Sequence, residues 1–140
     1  MSDLGGSAFD FWLGEWNCTF DGGTATNSVT RDFDGQVVTE RFEGLTPQRW
    51  SGMSVSVYNE KLDLWRQTWV DQSGAYWHFV GSLVGGNPSF GTPEPVDVER
   101  LFKRMVFSNI ASDGFDWRWE SSPDGESWTE NWAITYLRQG

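Results

Sequence analysis

From Trp16 to Arg138 the chain alternates apolar and polar residues in short runs rich in Val, Thr, Phe, Tyr and Trp. A period of two places successive side chains on opposite faces, as a half-buried strand requires. Turn signals separate the runs at Asp21-Gly22-Gly23, Asp34-Gly35, Asn59-Glu60, Ser73-Gly74, Gly85-Gly86-Asn87-Pro88, Asp113-Gly114 and Asp124-Gly125. This spacing predicts about nine strands, over 15–20, 24–33, 36–45, 50–58, 62–71, 75–84, 96–110, 114–121 and 127–138, after one short helical turn from Ala8 to Leu13. No segment carries a helix-length apolar stripe, which argues against an α/β fold. Strands joined in order by tight turns lose their exposed edges when the sheet closes on itself. The expected fold is therefore all-β: a closed antiparallel up-and-down barrel of about 8–10 strands, forming a single domain over 1–140. The Gly/Pro-rich stretch from Gly85 to Pro95 reads as the one irregular connection, a flap at the barrel mouth.

Alternation also assigns side chains to faces. A two-residue reversal at Asp34-Gly35 sets Phe33 opposite Gln36, Val29 opposite Glu40 and Asn27 opposite Phe42. The face with Val29, Phe33, Val38 and Phe42 is the apolar one, so Asn27, Arg31 and Glu40 are expected inside with it. Farther along, Trp65 and Trp69 share a face with Gln67 and Asp71. The last strand groups Trp128, Glu130, Trp132, Ile134, Tyr136 and Arg138, and its neighbour contributes Phe115, Trp117 and Trp119. Parity is ambiguous over 96–110, where Arg100, Phe102, Arg104 and Val106 make one coherent row. The candidate ligand-binding residues are thus Glu40, Gln67, Trp69, Arg104, Trp117, Trp119, Glu130 and Trp132. Polar groups among buried rings are costly unless they pair with one another or orient a guest in a wet pocket.

Composition sharpens this picture. Aromatic residues make up 16% of the chain, with 10 Trp and 10 Phe, so large rings must either fill the interior or line a cavity for a flat or apolar guest. The net charge of -10 repels phosphate backbones and anionic lipid, so neither nucleic acid nor a membrane is an expected partner. Cys18 is the sole cysteine, which excludes an internal disulfide and suits a small buried hydrophobe in a reducing compartment. With no basic-then-apolar leader in Met1-Ser2-Asp3-Leu4-Gly5-Gly6, the cytoplasm is the expected location. His78 is the sole histidine, which excludes a multi-His zinc cluster and a triad with a His base. No metal or other cofactor is expected. Haem needs only one imidazole, yet alternation puts His78 opposite Trp77 and Phe79, the pair that looks core-facing. Gly81 to Gly86 does not lead into a helix and is no phosphate cradle.

The segment Phe9-Asp10-Phe11-Trp12-Leu13-Gly14-Glu15-Trp16 is the most specific in the chain. Its Gly14-x-Trp16, placed where the first strand begins, resembles the glycine-x-tryptophan signature of lipocalins and the wider calycin barrels. That resemblance implies a Trp16 that closes the barrel base and an Arg138 that lies over its ring by a cation–π contact. It also brings haem-binding barrels into view as a class. The longer pattern is similar to a bacterial family of small proteins of unknown function with Asp10-Phe11-Trp12-x-Gly14-x-Trp16 at the start. The same family shows the runs Trp65-Arg66-Gln67-Thr68-Trp69-Val70-Asp71 and Ser122-x-Asp124-Gly125-x-x-Trp128. This likeness brings no catalytic residues with it. The segment Ser122 to Trp128 also resembles the Asp-box hairpin of sialidase propellers, and a single copy implies only a turn device.

Three kinds of function follow. One is binding of a small apolar or aromatic molecule inside the barrel, by a monomer or homodimer. Another is a cofactor-free isomerase, cyclase or lyase with Glu40 or Glu130 as general acid or base, since burial raises a carboxyl pKa toward the working range. The third is a haem-binding barrel or a filled structural module. A filled interior favours the structural module, an open pocket with one polar anchor favours binding, and an open pocket with two carboxyls, or a carboxyl with Arg104, favours the enzyme.

Overall fold

The alternating segments form ten antiparallel strands in a computed structural model that describes residues 4–140. A single 3-10 turn (Asp10–Trp12) precedes β1 (Gly14–Phe20), β2 (Gly23–Asp32), β3 (Val37–Thr46), β4 (Trp50–Asn59) and β5 (Leu64–Asp71). The chain continues through β6 (Tyr76–Val84), β7 (Asn87–Gly91), β8 (Phe102–Ser108), β9 (Gly114–Ser122) and β10 (Thr129–Arg138). Each strand pairs with the next, and β10 returns to β1, so the sheet closes as an up-and-down barrel with no free edge. No helix among the described residues is long and apolar enough to cross a membrane.

Two details depart from the sequence-based expectation. Gly85 and Gly86, with φ of 55 and 83, form a two-residue reversal that sets Val84 opposite Asn87. The following residues are therefore a strand, β7, and the irregular connection is the stretch 92–101, at the end of the barrel where β7 ends and β8 begins. The other departure is Phe33. The Asp34-Gly35 reversal holds the expected register, Val29 opposite Glu40 and Asn27 opposite Phe42, but Phe33 lies beyond the last strand pair and is 79% exposed. Arg31 is exposed at the same rim, in an ion pair with Asp10 that ties β2 to the 3-10 turn.

The interior is layered along the barrel axis. At the closed end Phe9 stacks on Phe90 at 4.5 Å and meets Trp65 edge-on at 5.1 Å, while Trp12, Trp16, Phe107 and Phe115 fill the remaining space. Trp16 is fully buried and donates from Nε1 to the Trp12 carbonyl at 2.9 Å. The guanidinium of Arg138 lies 4.2 Å from the Trp16 ring and donates from Nη1 to the Leu13 carbonyl at 2.8 Å. Gly14 has a φ of 137, and a Cβ there would collide with that Nη1. Only glycine suits both the backbone and the contact. Strand polarity puts the ends of β1, β3, β5, β7 and β9 at the opposite end of the barrel.

Candidate ligand-binding site

Above the plug, the inward positions of neighbouring strands bring polar groups into one layer. Glu40 is buried on β3 and accepts from Ser54 Oγ at 2.7 Å and from Asn27 Nδ2 at 2.7 Å. Asn27 Nδ2 also reaches the hydroxyl of Tyr136 at 3.0 Å, and that hydroxyl is hydrogen-bonded to the Cys18 thiol. A continuous chain thus links Cys18, Tyr136, Asn27, Glu40 and Ser54 across five strands. Gln67 belongs to the same layer and donates from Nε2 to Ser56 Oγ at 2.9 Å. The carbonyl oxygens of Asn27 and Gln67 are buried with no hydrogen-bond partner. Burial pushes the Glu40 carboxyl above the usual carboxylate range, against the opposing pull of its bonds from Ser54 and Asn27. Burial likewise raises the Tyr136 hydroxyl well above its ordinary value and pushes the Cys18 thiol up to about 12, so both stay protonated at neutral pH.

Between this layer and the far end lies a cavity of about 340 Å³. Glu40, Tyr136, Ile134 and Phe79 border it, together with Phe42, Met105 and six tryptophans: Trp50, Trp69, Trp77, Trp117, Trp119 and Trp132. Trp117 and Trp119 lie parallel with centroids 6.3 Å apart, and Trp77 and Trp132 meet them edge-on at 6.0 and 5.5 Å. These mutual edge-to-face contacts hold the rings as a frame. The cavity reaches the surface beside the β5–β6 connection, where Asp71, Ser73 and Ala75 line it and Ser73 is exposed. Asp71 accepts from Trp69 Nε1 at 2.9 Å and from Ser73. Burial raises its pKa, but hydrogen bonds from Ser73, Trp69 and the backbone outweigh that and hold the carboxyl below its usual range.

Of the residues singled out from sequence, Glu40, Trp69, Trp117, Trp119 and Trp132 border the cavity, and Gln67 sits in the polar layer beneath it. Glu130 does not. A β-bulge between Glu130 and Trp132 resets the alternation of β10, so Glu130 is exposed on the outer face while Trp132 points inward. Trp128 is carried outward by the same shift.

Arg104 is also on the outer face. In β8 the inward row is Met105 and Phe107, which leaves Phe102, Arg104 and Val106 outside. There Arg104 Nε donates to Glu120 at 2.7 Å, Arg118 holds the other oxygen at 2.9 Å, and the Arg104 guanidinium lies 3.8 Å over the Trp128 ring. Both rows of β8 carry apolar residues, and Val106 is buried on the outside, so hydropathy could not separate them. Beside it, Asp124 accepts from the backbone N–H groups of Glu126 and Ser127, each at 2.9 Å, and organises the turn that presents Trp128.

Sequence reasoning passed over Trp50, Trp77, Asp71, Asn27 and Tyr136 as site residues. Alternation had already placed Asp71 with Trp69 and Asn27 with Glu40. Trp50 carried no such signal, because it opens its strand just after a loop. The chain matches no protein-family model and no curated protein. Its site is read from geometry.

His78 is exposed on the outer face of β6, opposite Trp77 and Phe79, so no imidazole reaches the cavity. Among the described residues, no group of three or more His, Cys, Asp or Glu side chains could hold a metal ion.

Proposed function

We propose that this barrel binds a small, largely apolar, ring-bearing molecule, held by indoles along its sides and oriented by Glu40 at its base, in the manner of calycin barrels. The observation that carries this reading is the cavity itself: about 340 Å³, bordered by six Trp, with one deeply buried carboxyl. Ligand cavities run from about 300 to 1,000 Å³ and combine apolar walls with a few convergent polar groups. The volume falls at the lower end of that range, so the ligand is small. A filled structural module would leave no such space. For an isomerase, cyclase or lyase the expected partners of Glu40, Glu130 and Arg104, lie on the outer face; the second carboxyl that lines the cavity, Asp71, stands at the mouth and is held by Trp69 and Ser73, and the Tyr136 hydroxyl is held by Asn27. Binding is therefore preferred to catalysis. The lone buried thiol of Cys18 keeps the cytoplasm as the proposed location.

Titration with the uncharged dye Prodan, followed by quenching of Trp emission, tests the proposal. Saturable one-to-one binding is expected, with Trp119→Ala weakening it by about tenfold and the outward-facing Arg66→Ala leaving it unchanged. Non-saturable quenching, or equal losses in both variants, would contradict it.

A further inference from the structure

Taking as its premise the proposed ligand-binding cavity, we infer that the preferred guest is an arylalkylamine, an aromatic ring carrying a protonated alkylammonium group, seated between the indole frame and Glu40.

Charge carries the first part of the argument. None of the chain's 10 Lys and Arg lines the cavity, whereas two carboxyls do, Glu40 at the base and Asp71 at the mouth. The ion pairs among the described residues are Arg31 with Asp10 and Arg104 and Arg118 with Glu120, so Glu40 is buried without a countercharge. Its facing groups, Asn27, Ser54 and Tyr136, are all neutral. A carboxylate guest would enter against both acids and against a net charge of -10. An ammonium would supply the countercharge that Glu40 lacks at the base and so favour its ionised form there.

The indoles argue in the same direction. Six Trp rings border the cavity, with parallel, edge-on and tilted pairs among them, and indole is the strongest of the aromatic side chains for contact with a cation. The balance of donors and acceptors is the third observation. In the polar layer both N–H donors of the Asn27 amide and one of Gln67's are engaged, while the carbonyl oxygens of both residues are buried and unpartnered. Each Glu40 oxygen accepts one bond from protein and has room for another. Buried acceptors left without a donor suit a guest group that donates, and an ammonium has three N–H donors and no acceptor.

Calorimetric titration with tryptamine, tryptophol and indoleacetate tests this, because the three share one ring and differ in head group. Tryptamine should bind at least about tenfold more tightly than tryptophol, and indoleacetate should be the weakest. Glu40→Gln, whose amide fits the same space, should remove the preference for tryptamine over tryptophol, whereas Arg66→Ala, on the outer face, should leave that preference intact. Tryptophol or indoleacetate equalling tryptamine would overturn the amine assignment and leave the cavity reading intact. Failure of all three, with Prodan also unbound, would overturn both.

Discussion

Arg138 joins three parts of the closed end: its guanidinium covers Trp16, Nη1 holds the carbonyl of Leu13, and Nε holds that of Ser112 at 3.0 Å. Arg138→Ala should lower stability by about 1–2 kcal/mol, read as a shift in the denaturant midpoint, through lost stacking and two unpaired carbonyls. An unchanged midpoint would remove Arg138 from the lock. Glu40 sets a pH dependence of known sign. Because burial favours its neutral form, the stability that form contributes is complete below the usual carboxylate range and is lost as pH rises through the raised folded-state value. The midpoint of the unmodified protein should therefore fall relative to that of Glu40→Gln as pH rises from mildly acidic to alkaline. A constant difference across that range would mean that Glu40 ionises as freely in the fold as in the unfolded chain. Trp16 with Arg138 was legible through the likeness to calycin barrels, which implies an Arg near the end of the last strand over the Trp of the Gly14-x-Trp16 motif. The chain from Cys18 to Ser54 was not, because it joins single residues on five strands, and alternation states which face each occupies without stating which ones meet.

At the scale of elements, register decided what could be foreseen. The Asp34-Gly35 reversal has one dominant geometry, so the pairs Val29 with Glu40 and Asn27 with Phe42 could be derived before any coordinates. Gly85-Gly86 obeys the same rule, but the prolines that follow at 88, 93 and 95 made the whole stretch look irregular and hid β7. The bulge in β10 gave no comparable signal, since an extra residue at Asn131 leaves the hydropathy pattern almost unchanged while turning Glu130 outward. This has a direct consequence for binding. Glu130→Gln should leave Prodan affinity unchanged, whereas Trp132→Ala should reduce it, because only the residue after the bulge faces the cavity. Equal effects of the two substitutions in a fluorescence titration would place Glu130 inside after all.

For the molecule as a whole, the same aromatic composition serves two purposes in separate layers. Phe9, Trp12, Trp16, Phe90, Phe107 and Phe115 interlock into a plug, while six other tryptophans stand around open space. All-β closure was readable from the run of strands and turns, but the open space was not, since side-chain volume along a strand does not reveal what the opposite wall contributes. The central claim is that the interior beyond Glu40 is an accessible binding cavity. Ala75 lines its mouth, so Ala75→Trp puts an indole into the opening without touching the plug or the polar layer. Energy transfer from Trp to Prodan, measured in the unmodified protein and in Ala75→Trp at matched unfolding midpoints, is the most direct test. Saturable transfer in the unmodified protein and its loss in the variant is the expected result; transfer that is absent from both, or equal in both, would contradict the claim.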